Sequence, residues 1–226
     1  MSPPHVTAAI SARERPSQSN DSSAYGLIED RTSVAYCSFS AFPRIETKHL
    51  VLRDIRDSDA EALFRMCSDR QWMAFWGLPI HQAIDDTHEM IRQIRRQYVR
   101  RQALRWAITR KGSDEAIGSI GFNRFLPQHH RAEITGELTR AESRKGYATE
   151  AGRAVVRFGF EKLGLHTIEA NIDPQNAASI AVVVGLGFRR EGYLRQNYFL
   201  EGKFYDTVIF SLLNAQSPFA AVASCA

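Results

Sequence analysis

The chain has 226 residues, 44% of them apolar and 24% charged, with 29 Lys and Arg against 25 Asp and Glu. This is the balance of a globular domain with tails, and no apolar run reaches the ~20 residues needed to cross a bilayer. The net charge of +4 favours acidic partners without choosing among nucleic acid, an anionic cofactor and plain solubility.

At the N-terminus the apolar stretch VTAAI is too short for a signal peptide and soon runs into RERPSQSN. The three cysteines, Cys37, Cys67 and Cys225, have neither disulfide nor metal spacing, so a reducing, cytoplasmic setting is expected. Residues 1–42 are rich in Ser, Ala and Pro without a sustained period and read as a flexible tail, with SVAYCSFSAF as a short strand or packed extension inside it. A second tail is expected at 216–226, leaving one domain at 43–215.

Within that domain HLVLRDI alternates, with Leu50 and Leu52 on one face, and predicts a strand. Asp57 or Ser58 is placed to cap a helix carrying Ala62, Leu63 and Met66. Ile84, His88, Ile91, Ile94 and Tyr98 form the apolar stripe of a helix over about 83–101. Two strands follow, LRWAIT and AIGSIGF, joined by the turn KGSD, and then a third, AEITGEL. From Thr149 a helix buries Ala151, Val155, Phe158 and Leu163, with Glu150, Arg153, Arg157 and Glu161 on its outer face. HTIEANI is a strand, NAASIAVVVGLGF a short apolar helix ended by glycine, and YLRQNYFL and YDTVIFSLL a closing pair around EGKF. The order β, α, α, β, β, β, α, β, α, β, β predicts an α+β domain with a mixed sheet.

Between AEITGEL and the helix stands SRKGYATEA. A strand, a turn with Arg144, Lys145 and Gly146, and then a helix start is a geometry suited to phosphate, because the first helical turn leaves N–H groups unpaired. Gly146 and Ala148 keep the approach open. Neither a P-loop nor a dinucleotide fingerprint is present.

With NIDPQNAAS, GLGFRREG and GKFYDTVIFSLL following in order, the chain resembles the GNAT superfamily of N-acetyltransferases, in its ribosomal-protein-alanine acetyltransferase-like branch, over IETKHLVLRDI to VIFSLL. The resemblance implies the acyl-CoA N-acyltransferase fold, a mixed, mostly antiparallel twisted sheet flanked by helices, and acetyl-CoA as cosubstrate. It implies that Arg144, Lys145, Gly146, Tyr147, Ala148 and Thr149 wrap the pyrophosphate. Leu138, Thr139 and Arg140 would pair with the pantetheine arm, Asn171 and Asn176 would approach it, and Ser179 would lie near its sulfur. One departure is Ser143, where the superfamily often has Gln or Arg.

Acetyl transfer needs a neutral amine, a donor for the oxyanion and a proton for the thiolate. A backbone N–H near Leu138 is the expected oxyanion donor. Glu133 and Glu137, on one strand face, are candidates for the base, directly or through water, or are paired structural carboxylates. Ser179 is the first candidate for the acid and Tyr198 the second; the Ser179 hydroxyl is equally placed to cap the short helix.

In RQIRRQYVRR, Arg92, Arg96 and Arg100 share one exposed face of the Arg92–Arg101 helix, either solvated or docking RNA, a ribosome or an acidic protein. Trp72, Phe75 and Trp76 are packing residues that also suit an acceptor pocket. The seven histidines show no ligand spacing, and neither a metal nor a membrane is expected. The activity expected is acetylation of a primary amine, with a protein N-terminus first and a small amine (antibiotic, polyamine or amino-acid analogue) second. The rival from another class is a basic RNA-binding module without catalysis.

Overall fold

The structure, a computed structural model, describes residues 41–216. The expected tails, and nearly all of SVAYCSFSAF, lie outside the described residues. Among the described residues eight strands form one sheet: β1 (Ile45–Glu46), β2 (Leu50–Asp54), β3 (Leu104–Arg110), β4 (Ala116–Leu126), β5 (Arg131–Leu138), β6 (Thr167–Ile172), β7 (Arg189–Leu200) and β8 (Lys203–Leu213). Their order is β1-β2-β3-β4-β5-β6-β8-β7, and every pair is antiparallel except β5 and β6. The described residues also form four α-helices: α1 (Ala60–Cys67), α2 (Ile84–Val99), α3 (Tyr147–Glu161) and α4 (Ala177–Gly185). A parallel pair needs a crossover, and α3 is that crossover.

Alternation sorts the two faces of the sheet. Leu50, Leu52, Trp106, Ile108, Ile120, Phe122, Ile134, Leu138, Ile168, Ala170 and Ile172 face one way and join Ala151, Val155 and Val156 of α3 and Val183 of α4 in the main core. Trp106 is fully buried at its centre, edge-on to Phe158 at 5.3 Å, with its Nε1 donating to the Pro43 carbonyl at 2.6 Å. Burying each large side chain stabilises by about 1.5–3 kcal/mol, so this layer supplies most of the driving force. On the other face Ala62, Leu63 and Met66 of α1 and Ile91 of α2 pack with Ala107 and Ala116.

Several expectations are corrected in detail. The start of α1 is organised by Asp59 rather than Asp57 or Ser58: its carboxylate accepts the Arg56 N–H at 2.8 Å and pairs with buried Arg53 at 2.7 Å. Helix α3 begins at Tyr147, two residues before Thr149. Glu150 is not part of its outer charged face, since it turns to Thr47 and His49. His166 is exposed and precedes β6.

Candidate active site

Parallel pairing of β5 with β6 covers only Arg131–Glu133 against Thr167–Glu169. Yet β5 runs on to Leu138 and β6 to Ile172, so the two strands part and leave a gap. The Thr139 N–H donates to the Ile117 carbonyl at 2.7 Å, which sets the alternation along the β4–β5 ladder. By that alternation Gly136 and Leu138 turn their backbone groups away from β4, into the gap. The gap therefore offers a free strand edge of the kind an extended amide-bearing arm can pair with.

The structure narrows the expected contacts here. Leu138 keeps its N–H for the gap, but its carbonyl accepts the Trp72 indole Nε1–H at 2.6 Å. Thr139 is engaged at both backbone groups, its carbonyl accepting the Glu142 N–H at 3.0 Å. Thr139 therefore cannot continue the strand-like pairing expected of residues 138–140. Arg140 is exposed, and its carbonyl is taken by the N–H and hydroxyl of Ser143. The role of Ser143 is thus to close the turn.

Beyond that turn, α3 starts without a side-chain cap, and its cap residue Gly146 is left-handed at φ +83°. The first-turn N–H groups of Tyr147, Ala148 and Thr149 are thereby open to an anion. Arg144 is also left-handed, at φ +60°, and exposed. Lys145 pairs with buried Glu142 at 3.1 Å, and Glu142 with Arg110 at 3.6 Å, so Arg144 is the freer of the two cations. Glu150 anchors the helix start to the turn between β1 and β2, accepting from Thr47 Oγ1 at 2.6 Å and the His49 N–H at 2.7 Å. Burial opposes its charge, but these bonds outweigh it and lower its pKa to about 2.

On the far side of the gap, Asn176 is the cap of α4, its side-chain oxygen accepting the Ser179 N–H at 3.0 Å. Ser179 therefore lies inside the first turn and is not the cap. Asn171, half-buried on β6, faces opposite Ala170 and Ile172. Tyr198 stacks on Tyr205 with centroids 5.2 Å apart, and a Cβ placed on Gly77 would touch its ring at 3.3 Å. Burial, and after it the charge of Asp173, raise the Tyr198 pKa, so the phenol stays protonated at neutral pH. The segment from Trp72 to Gly77 thus spans from Leu138 to Tyr198.

Both candidate bases are held by arginines. Glu133 pairs with Arg124 at 3.2 Å. Glu137 is buried, bonded by Arg105 and the Ser119 hydroxyl, and Arg105 also reaches Thr135 Oγ1 at 2.8 Å. Cys67 lies beside this cluster; burial and the Glu137 charge push its thiol up to about 12. Arg105, Ser119 and Tyr205 are brought to the candidate site only by the strand register. Of the arginine helix, Arg92 and Arg96 both bond Glu89, and Arg95 meets Asp57 at 3.4 Å, which neutralises part of that face.

Residues 49–189 match the family model described as the acetyltransferase (GNAT) domain. The chain is 38% identical over 172 residues to the N-acetyltransferase YoaA of Bacillus subtilis (strain 168), covering 76% of this chain and 97% of that one. A GNAT-family acetyltransferase structure from Bacillus anthracis superposes with a TM-score of 0.68 at 26% identity, covering 76% and 98% of the two chains. RimL, a ribosomal L7/L12 alpha-N-protein acetyltransferase solved with coenzyme A, shares the fold at a TM-score of 0.68 and 20% identity, covering 76% and 98%. The parted strands and the uncapped helix suit the arm and pyrophosphate of such a cosubstrate. This chain belongs to the GNAT acetyltransferase family and is an acetyl-CoA-dependent N-acetyltransferase.

Proposed function

We propose that this transferase acetylates the free α-amino group at the end of a polypeptide. The observation that carries this reading is the openness of the acceptor side. Helices α1 and α2 cover β4 and β3, but beyond them Thr135, Asn171, Ile209, Tyr205 and Tyr198 remain half-buried, and β7 is exposed along most of its length. A chain end can reach the gap from there without threading an enclosed pocket. The fold accommodates such acceptors, as RimL does.

The cosubstrate supplies the acetyl thioester. The Leu138 N–H is aimed into the gap as donor to an oxyanion, and Ser179 is the first candidate to protonate the thiolate, with Tyr198 second. Because Glu133 and Glu137 are spent on arginines, the amine loses its proton to water on the open side. A reading as an RNA-binding module without catalysis gives way to the family membership.

A thiol-release screen tests the substrate: peptides with free N-termini against the same peptides N-terminally blocked, spermidine and other small amines. Turnover of free peptides at the highest kcat/KM supports the reading. Faster turnover of a small amine replaces it.

A further inference from the structure

Four carboxylates stand along β5 and β6 and at the point where β6 ends: Glu133, Glu137, Glu169 and Asp173. Three are each neutralised by a guanidinium, Glu133 by Arg124 at 3.2 Å, Glu169 by Arg131 at 3.0 Å and Glu137 by Arg105. Asp173 is the exception. Its Oδ1 accepts the Gln175 N–H at 2.8 Å, and among the described residues no cation pairs with the group and nothing bonds Oδ2. A half-buried carboxylate has lost part of its hydration, and leaving it without a counter-charge costs free energy.

Its place gives that cost a use. Asp173 is the first residue past β6 and lies three residues before Asn176, the cap of α4, at the mouth of the gap. Ile172 pairs with Val208, which brings Asp173 beside the β8 stretch that leads back to Tyr205; Tyr198 stacks on that ring, and the Gly77 backbone lies against the stack. One uncompensated anion beside flat aromatic walls is a receptor for an ammonium group with an apolar stem.

We propose that Asp173 receives the cationic amine of the acceptor, with Tyr198 as the wall its stem packs on. The acceptor is then an amine without a carboxylate next to it, because a free amino acid would bring its own anion against Asp173. The inference rests on the transferase reading above, and it names a charge requirement that a peptide end and a polyamine share.

The test uses Asp173→Asn, whose side-chain oxygen can still accept from Gln175, in the full chain with acetyl-CoA. Acceptors are a hexapeptide with a free N-terminal alanine, spermidine and free alanine. The variant should raise KM for the cationic acceptors by about ten- to a hundredfold while KM for acetyl-CoA stays unchanged. Raising NaCl from about 50 to about 500 mM should weaken the wild-type amine KM and leave the variant's flat, and Asp173→Glu should recover part of the loss. A purely structural role moves neither the salt response nor one KM alone.

An amine KM that does not change, equal rises in both KM values, or free alanine used as well as the peptide overturns the proposal. Spermidine turned over without the peptide, with the same effect of Asp173→Asn, removes the polypeptide reading and keeps Asp173. If calorimetry on the wild-type coenzyme A complex detects neither peptide nor spermidine, the proposal fails outright.

Discussion

The indole Nε1 of Trp72 donates to the carbonyl of Leu138 at 2.6 Å, across 66 residues of sequence. One hydrogen bond thus joins the loop after α1 to the last residue of β5, at the place where β5 has left β6. It fixes the Leu138–Thr139 peptide, whose N–H donates to the Ile117 carbonyl of β4, and so holds the backbone next to the gap-facing Leu138 N–H. Trp72→Phe keeps the ring and removes the donor. We expect about 1 kcal/mol of lost stability, a fall in Tm of about 2–4 °C by calorimetry, together with reduced kcat/KM. A variant with native Tm and native kinetics shows the bond to be incidental.

Glu137 separates a structural reading from a catalytic one. Its carboxylate is 9% exposed and bonded to Arg105 and Ser119, so Glu137→Gln strands a guanidinium beneath α1. Breaking a buried pair of this kind costs about 3–5 kcal/mol, and urea unfolding should show a loss of that size. A base would behave differently: native stability with kcat lowered by orders of magnitude.

Gly146 is set by conformation, not by crowding. A Cβ there would meet nothing within 4 Å, but φ is +83°, where a β-branched residue is strained by about 1–2 kcal/mol. Gly146→Val should therefore re-aim the first N–H groups of α3 and weaken acetyl-CoA binding about tenfold by calorimetry. Gly146→Asn, which tolerates the left-handed region, should lose much less. Equal losses for both would locate the effect in the side chain's bulk.

This turn shows how much the sequence disclosed. The strand, the turn and the helix start were readable from SRKGYATEA because glycine, cations and helical periodicity are local signals. The gap was not, since it depends on where β5 and β6 stop pairing, and the residue types of Ile134 and Ala170 do not record that. The same holds for Arg105 and Ser119: Ser119 stands directly opposite Glu137, and Arg105 stands opposite Gly121, so the three meet only after three strands align. The apolar run of α4 is legible in NAASIAVVVGLGF, but its cap is not: Asn176 and Ser179 are both good capping residues three apart, and only backbone geometry chooses Asn176.

Acid should loosen the start of α3. Glu150 has its pKa lowered from 4.5 to about 2 by the bonds from Thr47 and His49, which outweigh burial. A depressed carboxylate contributes stability that is present above its unfolded value and lost as pH falls through its folded value. The contribution is therefore whole above about pH 4.5 and disappears toward pH 2. Glu150→Gln should remove that segment of the stability-against-pH curve while shifting Tm downward at neutral pH. A curve with the same acid limb as wild type would assign the acid sensitivity to other carboxylates.

Proton delivery to the leaving thiolate is the remaining step, and the position of Ser179 sharpens its test. Ser179 gives its N–H to Asn176, while its hydroxyl bonds no described residue and lies half-buried beside the cap of α4. Losing the hydroxyl therefore removes no cap, so Ser179→Ala should keep native thermal stability, whereas Asn176→Ala should lose about 1 kcal/mol. With Ser179 as the acid, Ser179→Ala lowers kcat and kcat/KM together, on the order of 10²–10⁴-fold, with acetyl-CoA affinity unchanged. Tyr198→Phe retains the stack on Tyr205 and should change kcat far less. The reverse pattern, an active Ser179→Ala beside a crippled Tyr198→Phe, transfers the role to the phenol that burial and Asp173 keep protonated. Wild-type turnover in both variants leaves water as the donor, because both hydroxyls are then absent without consequence.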